Sequence, residues 1–202
     1  MTMRLGPQNA LTIQRVLTAT IACLLWLGSP AFADERYYAA PETLDPDGFR
    51  DVLFKVAPGV YMAGQPTPEG LERLADAGVT RVINLRTAYE MNDRETVPYD
   101  EAAKVAALGL DYVHIPLGGP DTPYNAGAVD QLAEALAGAQ GDVLLHCTVA
   151  WRASHLWTAY LVEHQGLTLE DAVEVGRQLN LHSFGLPLED FLDTKLTYKE
   201  VE

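Results

Sequence analysis

Basic residues are scarce in this sequence, and their scarcity limits the partners that the protein can bind. The chain of 202 residues contains 14 lysines and arginines against 28 aspartates and glutamates, which gives a formal net charge of −14 at pH 7. A surface this acidic repels nucleic acid and anionic membranes. We therefore expect no nucleic-acid partner, and any bound anion must be held by a local feature of the fold.

The sequence also lacks an apolar run near its N-terminus that is long enough to span a bilayer. The run at residues 16–28 has 13 residues, whereas a membrane-spanning helix needs roughly 20. It follows Arg4 and Arg15 and precedes Ala31-Phe32-Ala33, a small-x-small cleavage signal. This layout predicts a secretory signal peptide in residues 1–33, and an exported, periplasmic protein without stable membrane insertion after cleavage. An uncleaved anchor is the alternative.

Cysteine is rare as well, because the chain contains only Cys23 and Cys147. Two cysteines exclude a disulfide-rich scaffold. Since Cys23 lies in the predicted signal peptide, Cys147 is left as an unpaired thiol in an exported chain. Such a thiol is either a reactive nucleophile or a buried, inert side chain, and composition alone favours the inert interpretation.

The pattern of apolar residues predicts the organisation of the chain. Residues 34–52 are polar, contain proline and are predicted to form an N-terminal lead-in. Residues 53–202 alternate strand and helix patterns, which predicts one α/β domain with a central, mostly parallel sheet flanked by helices. Strands are predicted at 54–56, 60–63, 79–85, 112–116 and 142–146. Helices are predicted at 68–78, 100–108, 125–139, 154–164, from 168 onward and at 188–196, with a polar loop at 86–97.

Chemistry-bearing residues cluster in residues 143–154, VLLHCTVAWRAS. A buried strand is predicted to end at Cys147 and a helix to follow, so Cys147 and Arg152 lie at a strand's carboxyl end, where α/β sheets bind ligands. Backbone N–H groups and the helix dipole favour anions at such a place, and Arg152 adds positive charge. The arrangement predicts a thiolate nucleophile beside an oxyanion site. His146 is expected to orient the loop, and Ser154 to donate a hydrogen bond to the sulfur.

This loop resembles the phosphate-binding loop of the cysteine-dependent protein-tyrosine and dual-specificity phosphatases, in which His-Cys precedes a short loop and an Arg. Those enzymes usually have five residues between Cys and Arg, with a Gly in the middle. Here there are four residues, Thr-Val-Ala-Trp, and no Gly. Because Ala150 stands where Gly is expected, a positive φ there would cost about 1 kcal/mol. The residues expected to form the loop around the nucleophile are His146, Thr148, Val149, Ala150, Trp151 and Ser154.

Two further motifs narrow the resemblance. Residues 60–69, VYMAGQPTPE, and residues 82–86, VINLR, resemble the opening of the bacterial phosphatase-like family that is also named for beta-lactamase-hydrolase-like proteins. Members of that family carry the four-residue spacing between Cys and Arg. The resemblance extends from about Phe54 to Gly166 and implies a cysteine-phosphatase-like fold.

The resemblance also implies roles for individual residues. Cys147 would attack a phosphate monoester and form a phosphocysteine, and Arg152 would bind the phosphoryl oxygens. Asp121, on the Gly-Pro-containing loop before the Cys, is the candidate general acid, although an ordinary turn Asp is an equal interpretation. Arg86 is expected to serve structure by pairing with a carboxylate. No cofactor or metal is implied, and the substrate would be a phosphorylated protein or a small phosphate ester.

Two other functions remain open from the residues themselves. The four-residue loop length also occurs in rhodanese-like sulfurtransferases, in which the Cys carries a sulfur received from a sulfur donor. A catalytically weak pseudophosphatase that only binds an anion or a protein partner is the second alternative, because the short loop lacks Gly and Trp151 is bulky.

Overall fold

A six-stranded sheet forms the centre of the molecule in this computed structural model, which describes residues 40–181 and 186–196. The predicted signal peptide lies outside the described residues. The strands are β1 (Glu42–Thr43), β2 (Leu53–Ala57), β3 (Val60–Ala63), β4 (Val79–Asn84), β5 (Asp111–His114) and β6 (Asp142–His146). The helices are α1 (Pro68–Asp76), α2 (Ala88–Asn92), α3 (Glu101–Ala107), α4 (Gly127–Ala137), α5 (Trp151–Glu163), α6 (Leu169–Arg177) and α7 (Leu186–Phe191).

The strand order is β1-β2-β3-β6-β4-β5. The first three strands pair antiparallel, and β3, β6, β4 and β5 pair in parallel. This arrangement confirms the predicted single α/β domain with a mostly parallel sheet. Strand β6 lies in the middle of the parallel part, so the residue that follows it is placed at the centre of one sheet edge.

Helices cover both faces of the sheet, and the side chains of the strands alternate between them as the pleat requires. Val60 and Met62 face the core that contains α4, α5, α6 and α7, whereas Tyr61 and Ala63 face the core that contains α1 and α3. Because both faces of β6 are covered, its residues 143–146 are all buried. That is why its sequence is a continuous apolar run rather than an alternating pattern.

Helix α5 is the most enclosed helix of those described, because ten consecutive residues, 152–161, are buried. It packs against α4, α6 and α7 on the larger core. A helix that is surrounded in this way holds its first turn in a fixed position relative to the sheet. Arg152 belongs to that first turn.

Two elements differ from the sequence-based expectations near the site. The predicted polar loop at 86–97 contains the short helix α2, which begins with a capping box: Thr87 Oγ1 accepts from the Glu90 N–H, and the Glu90 carboxylate accepts from the Thr87 N–H. Helix α5 begins at Trp151 and not at Ser154, because Ala150 already turns the chain into the helix. The lead-in also contributes the edge strand β1.

Two other helices begin at their predicted caps, whereas the helix predicted at 188–196 is α7 and covers Leu186–Phe191. Thr67 caps α1 and Thr168 caps α6, each by accepting a backbone N–H bond. Asn125 accepts from the Ala128 N–H at 3.1 Å, although the helix itself begins at Gly127. No helix in residues 40–181 and 186–196 is both long enough and apolar enough to cross a membrane.

Candidate active site

Cys147 directly follows β6 at the centre of the carboxyl edge of the parallel strands. Its backbone N–H donates to the Ala63 carbonyl on β3 at 3.4 Å, so the chain is still held to the sheet where the loop begins. The side chain is 1% exposed and belongs to the larger core cluster. Cys147 is the free cysteine of the described part of the chain.

The loop after Cys147 is fixed by the Gly-Gln-Pro segment that follows β3. The Gln65 N–H donates to the Thr148 carbonyl at 3.0 Å, and Gly64 forms an isolated bridge with Val149. A Cβ on Gly64 would lie 1.9 Å from the Arg50 carbonyl oxygen and 3.0 Å from that of Thr148. Glycine is therefore required at position 64 because two stretches of backbone approach it closely.

Ala150 adopts the left-handed conformation that the short loop requires, with φ 63° and ψ −2°. It is the N-cap of α5, and its side chain is fully buried. A non-glycine residue in this region costs roughly 1–2 kcal/mol. The cost considered for a positive φ at Ala150 therefore applies, and burial of the Ala150 methyl group offsets part of it.

The Arg152 guanidinium is held from several directions in the first turn of α5. Its Nη1 donates to the Leu117 carbonyl at 2.7 Å, to the Leu85 carbonyl at 3.3 Å and to Glu90 Oε2 at 2.8 Å. Its Nη2 donates to Glu90 Oε1 at 2.6 Å and to Thr148 Oγ1 at 3.0 Å. Among the described residues, none accepts a hydrogen bond from Nε. The two terminal nitrogens of the guanidinium are thus fixed, and Nε is available to donate a hydrogen bond to a ligand.

Glu90 is a site residue that the sequence analysis did not identify. Its carboxylate accepts from both terminal nitrogens of Arg152, from Thr148 Oγ1 at 3.0 Å and from the capping-box donors of Thr87. Burial opposes the charged form, but these hydrogen bonds and the Arg152 charge lower the pKa of Glu90 to about 2. The same bonds raise the pKa of Arg152 despite its burial. The pair is therefore ionised at neutral pH.

The Ile-Asn-Leu-Arg motif continues this polar cluster behind the loop. Arg86 is buried, and its Nη1 donates to Gln65 Oε1 at 2.7 Å while its Nε lies 3.4 Å from Glu90 Oε1. The His114 Nε2 lies 2.7 Å from the Arg86 carbonyl. Arg86 thus pairs with a carboxylate as expected, and that carboxylate is the one that holds Arg152.

A second buried carboxylate, Glu101, lies behind His146. Glu101 Oε1 accepts from His146 Nε2 at 3.0 Å and from Asn84 Nδ2 at 2.8 Å, and Oε2 accepts from Gln65 Nε2 at 2.5 Å. The His146 Nδ1 lies 3.4 Å from the Cys147 carbonyl. Both Glu101 and His146 are almost fully buried. Glu101 was not predicted from the sequence, although its partners Gln65 and Asn84 belong to the Gly-Gln-Pro and Ile-Asn-Leu-Arg motifs.

Asp121 lies at an exposed turn in which Gly119 and Thr122 bridge each other. The start of this loop packs against the arginine, because a Cβ on Gly118 would lie 3.5 Å from Arg152 Cδ. A cavity of about 370 Å³ separates the loop from α2, and its lining includes Asp121, Tyr89 and Glu90. Asp121 therefore shares an open cavity with the carboxylate that holds Arg152.

Three other predicted loop residues have defined surroundings. Ser154 Oγ donates to the Ala150 carbonyl at 2.8 Å and accepts from the Asn180 N–H at 3.2 Å. The Asn180 side chain in turn donates to the Val149 carbonyl. Trp151 is half-buried, and its ring centroid lies 4.3 Å from that of His155. Trp151 therefore packs on the next turn of α5. The Ser154 hydroxyl donates within its own turn, to the Ala150 carbonyl, and not to the Cys147 sulfur as the sequence predicted.

The sequence matches a known family over the region that carries this site. The family model for the phosphatase-like domain of beta-lactamase hydrolase-like proteins matches residues 52–162, which is more than half of the chain. The chain belongs to this family. No curated protein sequence matches it. The match includes the Gly-Gln-Pro segment, the Ile-Asn-Leu-Arg motif and the loop from Cys147 to Arg152.

Solved structures of phosphatases share the fold of this family member. A DUF442 phosphatase-like protein from Shewanella putrefaciens CN-32 is 26% identical over 73% of this chain and 91% of its own, with a TM-score of 0.55. Kinase associated phosphatase is 14% identical over 77% and 97% of the two chains, also at 0.55. TpbA of P. aeruginosa, in complex with pTyr, is 20% identical over 70% and 80%, at 0.50. The two more distant proteins show the fold alone.

Proposed function

We propose that the protein hydrolyses phosphate monoesters through a phosphocysteine on Cys147. The observation that carries this proposal is the anchoring of Arg152. Glu90 and two backbone carbonyls hold the terminal nitrogens of the guanidinium beside the nucleophile loop, and Nε has no acceptor among the described residues. An arginine that is oriented in this way presents a directional, permanently charged donor to phosphoryl oxygens.

The first chemical step is attack of the Cys147 thiolate on phosphorus, which breaks the bond to the leaving-group oxygen. The first turn of α5 leaves backbone N–H groups without intrahelical acceptors, and these with Arg152 bind the equatorial oxygens. Asp121, in its protonated form, transfers a proton to the departing oxygen. The products of this half-reaction are the free alcohol or phenol and the phosphocysteine.

The second step regenerates the enzyme. The Asp121 carboxylate accepts a proton from a water molecule, which attacks phosphorus and breaks the bond to sulfur. Inorganic phosphate leaves, and Cys147 returns to the thiolate form. Asp121 and Glu90 line one cavity between α2 and this loop, and on this proposal the leaving group and then the water occupy it.

The test uses the full chain and an aryl phosphate substrate. We expect Cys147→Ser to abolish turnover, and Asp121→Asn to lower kcat more for an alkyl than for an aryl leaving group, because the poorer leaving group depends more on the proton. Asp47→Asn, at another exposed position, is the matched control and keeps wild-type kcat. Turnover that survives Cys147→Ser would exclude this mechanism.

A second candidate function, anion binding without turnover, is favoured by the enclosure of the nucleophile. Cys147 is 1% exposed, and Ala150 holds a strained conformation in a loop that lacks glycine. On this alternative the protein binds phosphate or sulfate and hydrolyses no ester. Calorimetric titration with inorganic phosphate, together with an ester panel, separates the two functions, because efficient turnover of any ester eliminates binding alone.

We further propose that the protein is exported and acts in the periplasm on a phosphorylated protein or a small phosphate ester. The support is the sequence of residues 1–33, with its basic start, short apolar run and Ala31-Phe32-Ala33 signal. N-terminal sequencing of the protein from a periplasmic fraction should then begin at Asp34. Recovery of the intact N-terminus from the membrane fraction supports the uncleaved anchor.

A further inference from the structure

We propose that Tyr124 is a further catalytic residue, whose hydroxyl donates a hydrogen bond to an oxygen of the phosphoryl group bound between Cys147 and Arg152. Tyr124 lies three positions after Asp121 and was not predicted from the sequence. The inference deepens the proposed function, and it rests on that function only for the place where the phosphoryl group binds.

The Tyr124 side chain lies over the start of the loop that carries Asp121. A Cβ on Gly118 would lie 2.8 Å from the Tyr124 hydroxyl oxygen and 3.5 Å from Arg152 Cδ. The hydroxyl and the arginine therefore border the same small space, which is open because Gly118 has no side chain. The glycine thus allows a phenol hydroxyl to lie close to the arginine of the site.

Packing of the ring, and not a bond to the hydroxyl, holds Tyr124 in this place. The half-buried ring packs against the larger core, and its centroid lies 5.4 Å from that of Phe191 on α7, edge to face at 76°. Within residues 40–181 and 186–196, no group accepts a hydrogen bond from the hydroxyl or donates one to it. The O–H is therefore available to a ligand.

The other hydroxyls of the nucleophile loop are committed to partners within the protein. Thr148 Oγ1 donates to Glu90 Oε1 at 3.0 Å and accepts from Arg152 Nη2 at 3.0 Å. Ser154 Oγ donates within its own turn. Because only four residues separate the nucleophile from Arg152, the loop also offers few backbone N–H groups to an anion. Tyr124 supplies an additional donor from outside the loop.

The charged groups of the site determine the protonation of this hydroxyl. Burial raises the pKa of Tyr124, the Arg152 charge opposes that effect, and the charges of Cys147 and Glu90 add to it. The net result is an increase, so the phenol is protonated at neutral pH and is a donor. A hydrogen bond from such a donor to a charged phosphoryl oxygen is stronger than one between two neutral groups.

The first test is calorimetric titration of the full chain with inorganic phosphate. Tyr124→Phe keeps the ring and its contact with Phe191, and it removes the hydroxyl alone. We expect the Kd for phosphate to rise about tenfold, as for the loss of one hydrogen bond to a charged acceptor. Because no described residue bonds the hydroxyl, the free energy of unfolding should equal that of wild type.

The matched control is Tyr61→Phe, which removes a hydroxyl from the smaller core on the opposite face of the sheet. It should bind phosphate with wild-type affinity. Equal affinities of wild type and Tyr124→Phe overturn the proposal, and so does a wild-type protein that binds no phosphate. A weaker affinity that is accompanied by a lower free energy of unfolding attributes the effect to packing and also contradicts the proposal.

A kinetic test distinguishes two places for the donated hydrogen bond. If the hydroxyl bonds a phosphoryl oxygen, Tyr124→Phe lowers kcat/KM by the same factor for an alkyl and an aryl phosphate, because the phosphoryl group is common to both. A larger loss for the alkyl ester, as expected of Asp121→Asn, places the bond on the leaving group and overturns the proposal. Calorimetry needs no turnover, so a failure of hydrolysis is distinguishable from a failure of this proposal.

Discussion

Glu90 and Arg152, which are 62 positions apart in the chain, form a two-point ion pair in which each carboxylate oxygen accepts from a different terminal nitrogen, at 2.8 and 2.6 Å. The pair joins the short helix α2 to the first turn of α5. It also sets the direction of the remaining Arg152 donor, because a guanidinium is planar and two of its nitrogens are fixed.

The first prediction concerns this geometry. In Arg152→Lys a single ammonium group replaces the planar guanidinium, which donates hydrogen bonds to Glu90, Thr148 and the Leu117 carbonyl. We expect kcat/KM for an aryl phosphate to fall by about 100-fold and the free energy of unfolding to fall by about 2 kcal/mol. Steady-state kinetics and urea unfolding measure the two effects. Arg73→Lys, which changes an arginine on α1, should leave kcat/KM unchanged.

The second prediction concerns acid. Because the pKa of Glu90 is lowered to about 2 in the folded state, the carboxylate stabilises the fold above its unfolded pKa of about 4.5, and this contribution is lost as the pH falls toward 2. We expect Glu90→Gln to cost about 2 kcal/mol of unfolding free energy at pH 7, since the charge on Arg152 then lacks its partner. The difference from wild type should shrink between about pH 5 and 2.

Urea unfolding of both proteins across this pH range measures that difference. If the difference in unfolding free energy stays constant from pH 7 to pH 2, the carboxylate charge contributes nothing to stability and only the shape of the side chain does.

The third prediction concerns the left-handed residue of the loop. Ala150→Gly relieves roughly 1–2 kcal/mol of backbone strain, and it loses about 0.4–1 kcal/mol through the greater freedom of the unfolded chain. The variant also removes the buried methyl group, which contributes about 0.8 kcal/mol. We therefore expect the free energy of unfolding to change by less than about 0.5 kcal/mol. Ala106→Gly, at an exposed position of α3, should instead destabilise by about 1 kcal/mol. Thermal and urea unfolding compare them, and a loss for Ala150→Gly as large as that for Ala106→Gly contradicts the strain.

The fourth prediction separates steric from conformational requirements for glycine. Gly64→Ala places a Cβ 1.9 Å from the Arg50 carbonyl oxygen, whereas a Cβ on Gly109, which has φ 73°, would extend into open space. We expect Gly64→Ala to lose about 3 kcal/mol or more and to release the nucleophile loop. Gly109→Ala should lose only about 1 kcal/mol. If urea unfolding shows equal losses of unfolding free energy for the two variants, the close approach of the Arg50 carbonyl to Gly64 is contradicted.

The strands around the site could be predicted from sequence because each combines an apolar run with turn residues at its ends. Strand β6, residues 142–146, has the predicted bounds, since a fully buried parallel strand is a continuous apolar segment. The family could be predicted as well, because its Gly-Gln-Pro motif has a structural cause. Gly64 lies in close contact with two stretches of backbone, and Gln65 places its carboxamide in a buried polar cluster. Few other residues satisfy either requirement.

Glu90 and Glu101 could not be predicted, and the reason is physical. A carboxylate is defined as part of a site by its partners, and those of Glu90 and Glu101 include Arg152 and His146, 62 and 45 positions away. Helix α2 was missed because none of its residues is buried, so it lacks an apolar period. Its one sequence signal was the Thr87–Glu90 capping box, which also decided where Glu90 points.

The two helices on either side of the site, α2 and α5, differ in how much of their surface is packed against the core. On one side, α5 buries residues 152–161 and cannot shift without repacking the larger core. On the other side, α2 buries none of its residues, and polar bonds from Glu90 connect it to the nucleophile loop. Moving α2 would therefore break a few hydrogen bonds and the Glu90–Arg152 ion pair, without disturbing either core cluster. Helix α2 is the side of the site that can adjust at low cost, while α5 keeps the nucleophile loop in register with the sheet.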